Sequence, residues 1–293
     1  IHIYANLGSV AEAAAAVALG AEGCGLLRTE FLFLGRDTAP DEEEQRSAYQ
    51  GIADALDGRP LIVRTLDVGG DKPLPYLPIP PEDNPALGLR GVRTTLWRPE
   101  LLDEQLRAIL AVEQPGPCRI MLPMVASLSE LQAVRAVLRG LGGKAELGVM
   151  IETPAAAMLA DRLAAEADFF SIGSNDLSQY VLAMDRGNPM VAGDVDAFHP
   201  AVLRLIRAAA EAAGRHGRPI GACGGLASIP AGAALLVGLG VHELSVAPAA
   251  IAAVKAALRR VTVDACRDAA ARALDLDSPR EVRALMETIG TAA

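Results

Sequence analysis

The sequence predicts a (β/α)8 TIM barrel. Short apolar runs recur along the chain, and Ala/Leu-rich segments with apolar positions three and four apart separate most of them, which is the signature of parallel strands covered by helices. The 293 residues are also about what eight strand–helix units need. A doubly wound open sheet is the main competing architecture.

Eight apolar runs read as strands, at residues 1–7, 23–29, 61–67, 120–125, 147–152, 169–173, 219–223 and 243–246. Residues 10–19, 40–56, 99–112, 129–141, 155–165, 200–215 and 230–238 read as the intervening helices. A last helical stretch over 249–274, followed by 278–287, is expected to close and cap the barrel. Two segments break the rhythm. Residues 68–98 are rich in Gly and Pro, with Pro73, Pro75, Pro78, Pro80, Pro81 and Pro85, and loops this long inside a compact domain usually serve function. The second, residues 174–198, is polar and reads as a loop at its start.

Composition narrows the function classes. With 51% hydrophobic residues the chain can bury a large core, and it is expected to be one domain over residues 1–293. Lys and Arg number 27 against 36 Asp and Glu, a net charge of −9, so no nucleic-acid footprint stands out and any bound anion must be held by local arginines. The apolar runs fall short of the roughly 20 residues that span a bilayer. The N-terminal segment has neither the basic start nor the apolar core of a secretory signal, so a cytoplasmic setting is expected. Cys24, Cys118, Cys223 and Cys266 stand singly, which suggests neither a disulfide framework nor a zinc site.

In such a barrel the reacting groups come from the carboxyl ends of the strands. Those ends carry Arg28, Arg64, Glu152, Asn175–Asp176 and Cys223, so arginine, carboxylate and thiol converge on one mouth. Arg90, Arg93 and Lys72 would reach it from the loop after the third strand and Arg186 from the loop after the sixth. A lone arginine at a strand end is as often a structural ion pair; several at neighbouring ends suit a small multiply charged anion. Glu152 and Asp176 end adjacent strands and would hold Mg2+ if phosphate oxygens complete its shell; the plainer alternative is that each pairs with an arginine. Cys223 sits between Gly221 and Gly224–Gly225, where small neighbours would leave its sulfur accessible. It could be a nucleophile, a metal ligand or an acid, and without a histidine signature beside it the acid is favoured. His2, His199, His216 and His242 read as structural or exposed, His199 as a helix cap.

The motifs GAEGCGLLRTEFLF from Gly20, RTLDVGGDK from Arg64, NPALGLR from Asn84, IETP from Ile151, DFFSIGSNDLSQY from Asp168, DRGN from Asp185 and GACGG from Gly221 closely resemble enzyme I of the bacterial sugar phosphotransferase system. The likeness runs in order over nearly the whole chain. It implies the phosphoenolpyruvate (PEP)-binding TIM barrel of the PEP-utilising superfamily, a domain that also carries a homodimer interface. By this resemblance Arg28, Arg64, Arg90, Arg186 and Asn175 hold PEP, with Lys72 a further basic group, Glu152 and Asp176 hold Mg2+, and Cys223 protonates the enolpyruvate carbon. The attacking histidine belongs to a separate N-terminal domain in that family and is expected outside this chain, with a small phosphocarrier protein beyond it. The loop PPEDNPALGLR also resembles the enzyme I portion of multiphosphoryl transfer proteins. The pattern departs once: the family usually has a glutamate after Cys-Gly, where this chain has Gly225, which puts the thiol's efficiency as an acid in question. The PEP-binding barrel of a pyruvate phosphate dikinase or PEP synthase is the runner-up, and a non-catalytic PEP-sensing or dimerisation module the non-enzymatic alternative.

Overall fold

A computed structural model describes residues 1–69 and 74–289; Lys72 and Pro73 lie outside the described residues. Among these, eight parallel strands close into a barrel in sequence order. The order is β1 (His2–Leu7), α1 (Val10–Ala18), β2 (Cys24–Leu27), α2 (Glu30–Phe33), α3 (Glu42–Leu56), β3 (Leu61–Arg64), α4 (Val92–Trp97), α5 (Pro99–Leu110), β4 (Cys118–Leu122), α6 (Leu128–Gly140) and β5 (Leu147–Ile151). It continues with α7 (Pro154–Met158), α8 (Ala160–Ala164), β6 (Phe170–Ile172), α9 (Ser174–Leu182), α10 (Pro200–Arg215), β7 (Ile220–Ala222), α11 (Pro230–Gly238), β8 (Glu243–Val246), α12 (Ile251–Leu258), α13 (Val263–Ala273) and α14 (Pro279–Ile289). Strand β8 closes the sheet on β1, with His2 opposite Glu243 and Ala5 opposite Val246.

Local chemistry sets the helix ends. Asp41 and Ser127 each begin a helix with a reciprocal capping box to the glutamate three residues on. His199 caps α10 through Nδ1, which accepts from the Ala201 N–H at 3.1 Å. Inside the barrel the side chains of Leu26, Ile62, Met121, Met150, Phe169 and Cys223 fill the axis, while a larger apolar layer lies between strands and helices.

The structure departs from the expected elements at four places. The start of segment 174–198 is helix, not loop: Leu177 packs into the main core and Ser178 turns its hydroxyl back onto the Ser174 carbonyl at 2.6 Å, so a polar-looking sequence still winds as α9. Stretch 249–274 breaks at residues 259–262, where Thr262 caps α13 by accepting from Ala265 N–H at 3.1 Å. Helix 155–165 is divided at Leu159. The long Pro-rich connection is packed where it is described: Leu74 and Leu77 join a buried cluster with Phe33, Leu66 and Val68, and Tyr76 donates to the Phe33 carbonyl at 2.6 Å. Among the described residues no helix is long and apolar enough to cross a membrane.

Candidate active site

The carboxyl ends of β2, β3, β5, β6 and β7 surround a cavity of about 160 Å3 lined by Arg28, Arg64, Arg90, Glu152, Asn175, Asp176, Arg186 and Cys223, with Asp67 among them. Drug-sized ligands usually occupy roughly 300–1,000 Å3, so this space suits a small metabolite. A wider, open groove of about 680 Å3 runs between His199, Asp196 and the start of α14. It is a surface feature and gathers none of the strand-end groups.

The arginines are held by carboxylates rather than standing apart. Arg64 Nη2 donates to Glu30 Oε1 at 2.8 Å, and its Nη1 lies 3.0 Å from Asp67 Oδ2. Arg90 reaches the same Asp67 through Nε at 3.2 Å and Nη2 at 3.3 Å, and turns Nη1 to Asp176 Oδ1 at 2.8 Å. Arg186 grips both oxygens of Asp176 at 2.9 and 3.1 Å. Burial alone would lower the pKa of Arg64 and of Arg90; the facing carboxylates outweigh it and hold both firmly protonated, above the usual arginine value. Arg28 is exposed at the rim and makes no ion pair among the described residues. Arg93, expected to reach the mouth, points away: its Nη1 donates to the Gly88 carbonyl at 3.3 Å and its Nε faces Glu130 at 3.7 Å.

The two expected metal carboxylates differ sharply. Asp176 is already neutralised by Arg90 and Arg186. Glu152 is 1% exposed, accepts the Met124 N–H at 2.7 Å, and has no ion-pair partner among the described residues. Burial, and then the nearby charges of Asp176 and Asp67, push its pKa up to about 8. A cation between Glu152 and Asp176 would relieve that repulsion, and hard carboxylate oxygens with room for phosphate and water suit Mg2+. Among the described residues no three His, Cys, Asp or Glu side chains gather into a closed cage, so a metal here must draw further ligands from substrate or water.

Cys223 lies at the bottom of the mouth and is 3% exposed, so the accessibility expected from its small neighbours is a narrow opening into the cavity rather than exposure to bulk water. Its Sγ donates to the Ile172 carbonyl at 3.7 Å, and Asn6 Nδ2 from β1 holds its own carbonyl at 3.1 Å. Burial raises the thiol pKa to about 11; Ser171, Arg64 and Arg28 pull the other way, and Glu152 adds to the rise. At neutral pH this group is a thiol that can give a proton. Asn175 starts α9 with its Oδ1 fixed by the Gly225 N–H at 2.9 Å, which leaves its amide NH2 as the free donor. Gly224 lets the two loops touch: a Cβ there would stand 2.0 Å from Ser174 Oγ.

Sequence reasoning left two buried carboxylates out of the site. Glu30 follows Arg28 by two residues and Asp67 follows Arg64 by three. Each sits just past a strand end beside an arginine, and that adjacency was the available signal.

The model of the PEP-binding domain of PEP-utilising enzymes matches residues 1–263. The chain is 51% identical over 291 residues to a multiphosphoryl transfer protein of Xanthomonas campestris pv. campestris, covering 97% of this chain and 35% of that protein. It is 44% identical over 300 residues to a phosphoenolpyruvate-protein phosphotransferase of Haloferax volcanii, covering 98% and 53%. The chain therefore spans about a third to a half of the length of these relatives. Among solved structures a citrate lyase from Burkholderia xenovorans LB400 shares the fold, with a TM-score of 0.56 at 19% identity over 99% of this chain and 91% of that one.

Proposed function

Because this chain belongs to the PEP-utilising enzymes, as their PEP-binding domain, we propose that it is the PEP-binding domain of a phosphoenolpyruvate-protein phosphotransferase and that it works on a histidine supplied by another domain. The observation that carries this is the gathering of four arginines, Asn175, three carboxylates and a protonated thiol around one small cavity.

Arg28, Arg64, Arg90, Arg186 and the Asn175 amide hold the phosphate and carboxylate of PEP, since forked donors match planar and tetrahedral oxyanions; Lys72 lies outside the described residues and is assigned by resemblance. Glu152 and Asp176 would hold Mg2+, which would supply positive charge near the developing oxyanions. The phosphoryl group leaves in line: the bond from phosphorus to the enol oxygen breaks, a phosphorus–nitrogen bond to the histidine forms, and the electron pair departs with the enolate. Arg64 and Arg90 are already rigid when that charge develops, so they stabilise it with little reorganisation. The Cys223 thiol then gives its proton to the enolate carbon, leaving pyruvate and a thiolate that solvent reprotonates.

The chain is taken as one such domain over residues 1–293, acting in the cytoplasm as a homodimer within the sugar phosphotransferase system, with a small phosphocarrier protein receiving the phosphoryl group from the histidine domain. Four free cysteines suit a reducing compartment, and Met158 and Met190, 71% and 85% exposed, give the connections after β5 and β6 apolar surface that a second copy can cover. The relatives named multiphosphoryl transfer protein favour a fused parent.

Calorimetric titration with PEP, first with Mg2+ and then with a chelator, tests the reading. Saturable binding that weakens on chelation is expected, and no binding in either condition refutes it. Pyruvate release on adding a relative's histidine domain in trans then separates an enzyme from a PEP sensor.

A further inference from the structure

The carboxylate most deeply set among the arginines is one to which the reading above gives no role. Asp67 is 2% exposed and lies three residues past the Arg64 position that ends β3. Its Oδ2 lies 3.0 Å from Arg64 Nη1 and 3.3 Å from Arg90 Nη2, and its Oδ1 accepts from Arg90 Nε at 3.2 Å. Its backbone is fixed in turn: the Asp67 N–H donates at 3.0 Å to Glu30 Oε1, the oxygen that also receives Arg64 Nη2. Two arginines from different parts of the chain, Arg64 at a strand end and Arg90, 23 residues beyond Asp67 in a long connection, thus share one buried anion.

The donors that Asp67 occupies matter as much as those it leaves. It takes Nε–H and one Nη2 hydrogen of Arg90, and the two Nη1 hydrogens go to Asp176 Oδ1 at 2.8 Å and to Tyr180 Oη at 3.3 Å. On Arg64 it takes Nη1 while Glu30 takes Nη2, and the buried Nε has no hydrogen-bond partner among the described residues. Arg64 is thus held at both Nη atoms with Nε left to offer, while Arg90 is gripped by Asp67 along one edge and shares its Nη1 between Asp176 and Tyr180. Asp176 can be drawn off by a cation; Asp67 is enclosed by the arginines themselves.

We propose that Asp67 is a positioning residue for the anion site: its carboxylate sets the spacing and plane of Arg64 and Arg90 so that both meet the substrate already oriented. The inference rests on the PEP-binding reading and assigns Asp67 no contact with the substrate. It has an unusual consequence in sign. A negative charge near an anion site ought to weaken anion binding, so deleting the charge without a positioning role would tighten it. Under the proposal, loss of the clamp frees two guanidinium groups to reorient, and binding weakens.

The test is calorimetry of the chain with PEP and Mg2+, comparing wild type with Asp67→Asn, which keeps the shape and loses the charge. About tenfold or more weaker PEP binding is expected, the scale of one lost charge-assisted hydrogen bond. The same substitution placed on an Arg90→Lys background should cost much less, because the group through which Asp67 acts is already changed. Unchanged or tighter binding by Asp67→Asn overturns the proposal while leaving the PEP site standing. Failure of the wild-type chain itself to bind overturns the functional reading and this inference together. If Asp67→Asn is too unstable to titrate, Asp67→Glu decides: it restores the charge one methylene away, so a positioning role still demands weaker binding, whereas wild-type affinity overturns it.

Discussion

Cys223→Ser gives the sharpest test of the proton-donor assignment. The thiol pKa of about 11 means that at pH 7 roughly one molecule in ten thousand carries the thiolate. Protonation of the enolate is therefore favoured, and the reverse step, removal of a methyl proton from pyruvate, must wait for that rare thiolate. Exchange of pyruvate methyl hydrogens in D2O, followed by NMR with Mg2+ and the chain present, should rise about tenfold per pH unit from 7 to 9 after subtraction of the protein-free blank. In Cys223→Ser the hydroxyl is a far weaker acid, and the protein-dependent exchange should fall by about 100-fold or more, while PEP binding stays near wild type because the arginines are untouched. Exchange that ignores pH, or that survives in Cys223→Ser, would refute the assignment and move the proton to another group.

Three further outcomes follow from the same geometry. Glu152 has its folded-state pKa raised to about 8 by burial and by Asp176 and Asp67, so between the ordinary carboxylate range and pH 8 the folded chain binds more protons than the unfolded one and stability falls as pH rises; Glu152→Gln should raise the melting temperature of the metal-free chain at pH 8 by about 5 °C, less toward pH 5, and abolish the Mg2+ dependence of PEP binding. Arg90→Met removes a 9% exposed partner of two buried carboxylates and should cost about 3 kcal/mol in urea unfolding, whereas Arg186→Met, at a 42% exposed side chain, should cost less than about 1 kcal/mol; equal losses would contradict the burial difference. Gly224→Ala drives a Cβ to 2.0 Å from Ser174 Oγ, while at Gly225 the nearest atom is Asn175 Oδ1 at 3.1 Å, so the first should destabilise by about 1–3 kcal/mol and the second by distinctly less, as thermal melts of the pair will show.

The barrel was legible because its signals are repetitive: each apolar run is short, each is followed by a helical period, and an error of two residues at a strand end moves no element. Strand β3 stops at Arg64 although the apolar reading continued to residue 67, yet Arg64 and Asp67 still face the mouth. The site was legible by residue type at the strand ends, which brought Arg28, Arg64, Arg90, Glu152, Asn175, Asp176, Arg186 and Cys223 to one cavity. What a linear reading misses is partnership. Glu30 and Asp67 each stand close to an arginine in the sequence, but their partnerships are spatial: Glu30 receives Arg64 from the neighbouring strand, and Asp67 also receives Arg90, which approaches from a distant turn. Arg93 is the converse, three residues from Arg90 and drawn outward by Glu130 on α6. The polar start of α9 misled for a similar reason, since Leu177 finds its apolar neighbours on other elements.

The hydrogen bond from Asn6 to the Cys223 carbonyl joins residues 217 positions apart, and β8 must enter between β7 and β1 before the sheet is continuous. On the ribosome, the first strand must then wait for more than two hundred residues to be synthesised before the thiol gains its final setting. A nascent chain halted before Glu243 exposes two unpaired sheet edges and has an incomplete mouth. A circular permutation of this barrel therefore does best with its new ends on the opposite, amino-terminal face and away from β7, β8 and β1, so that this arc is made as one continuous piece.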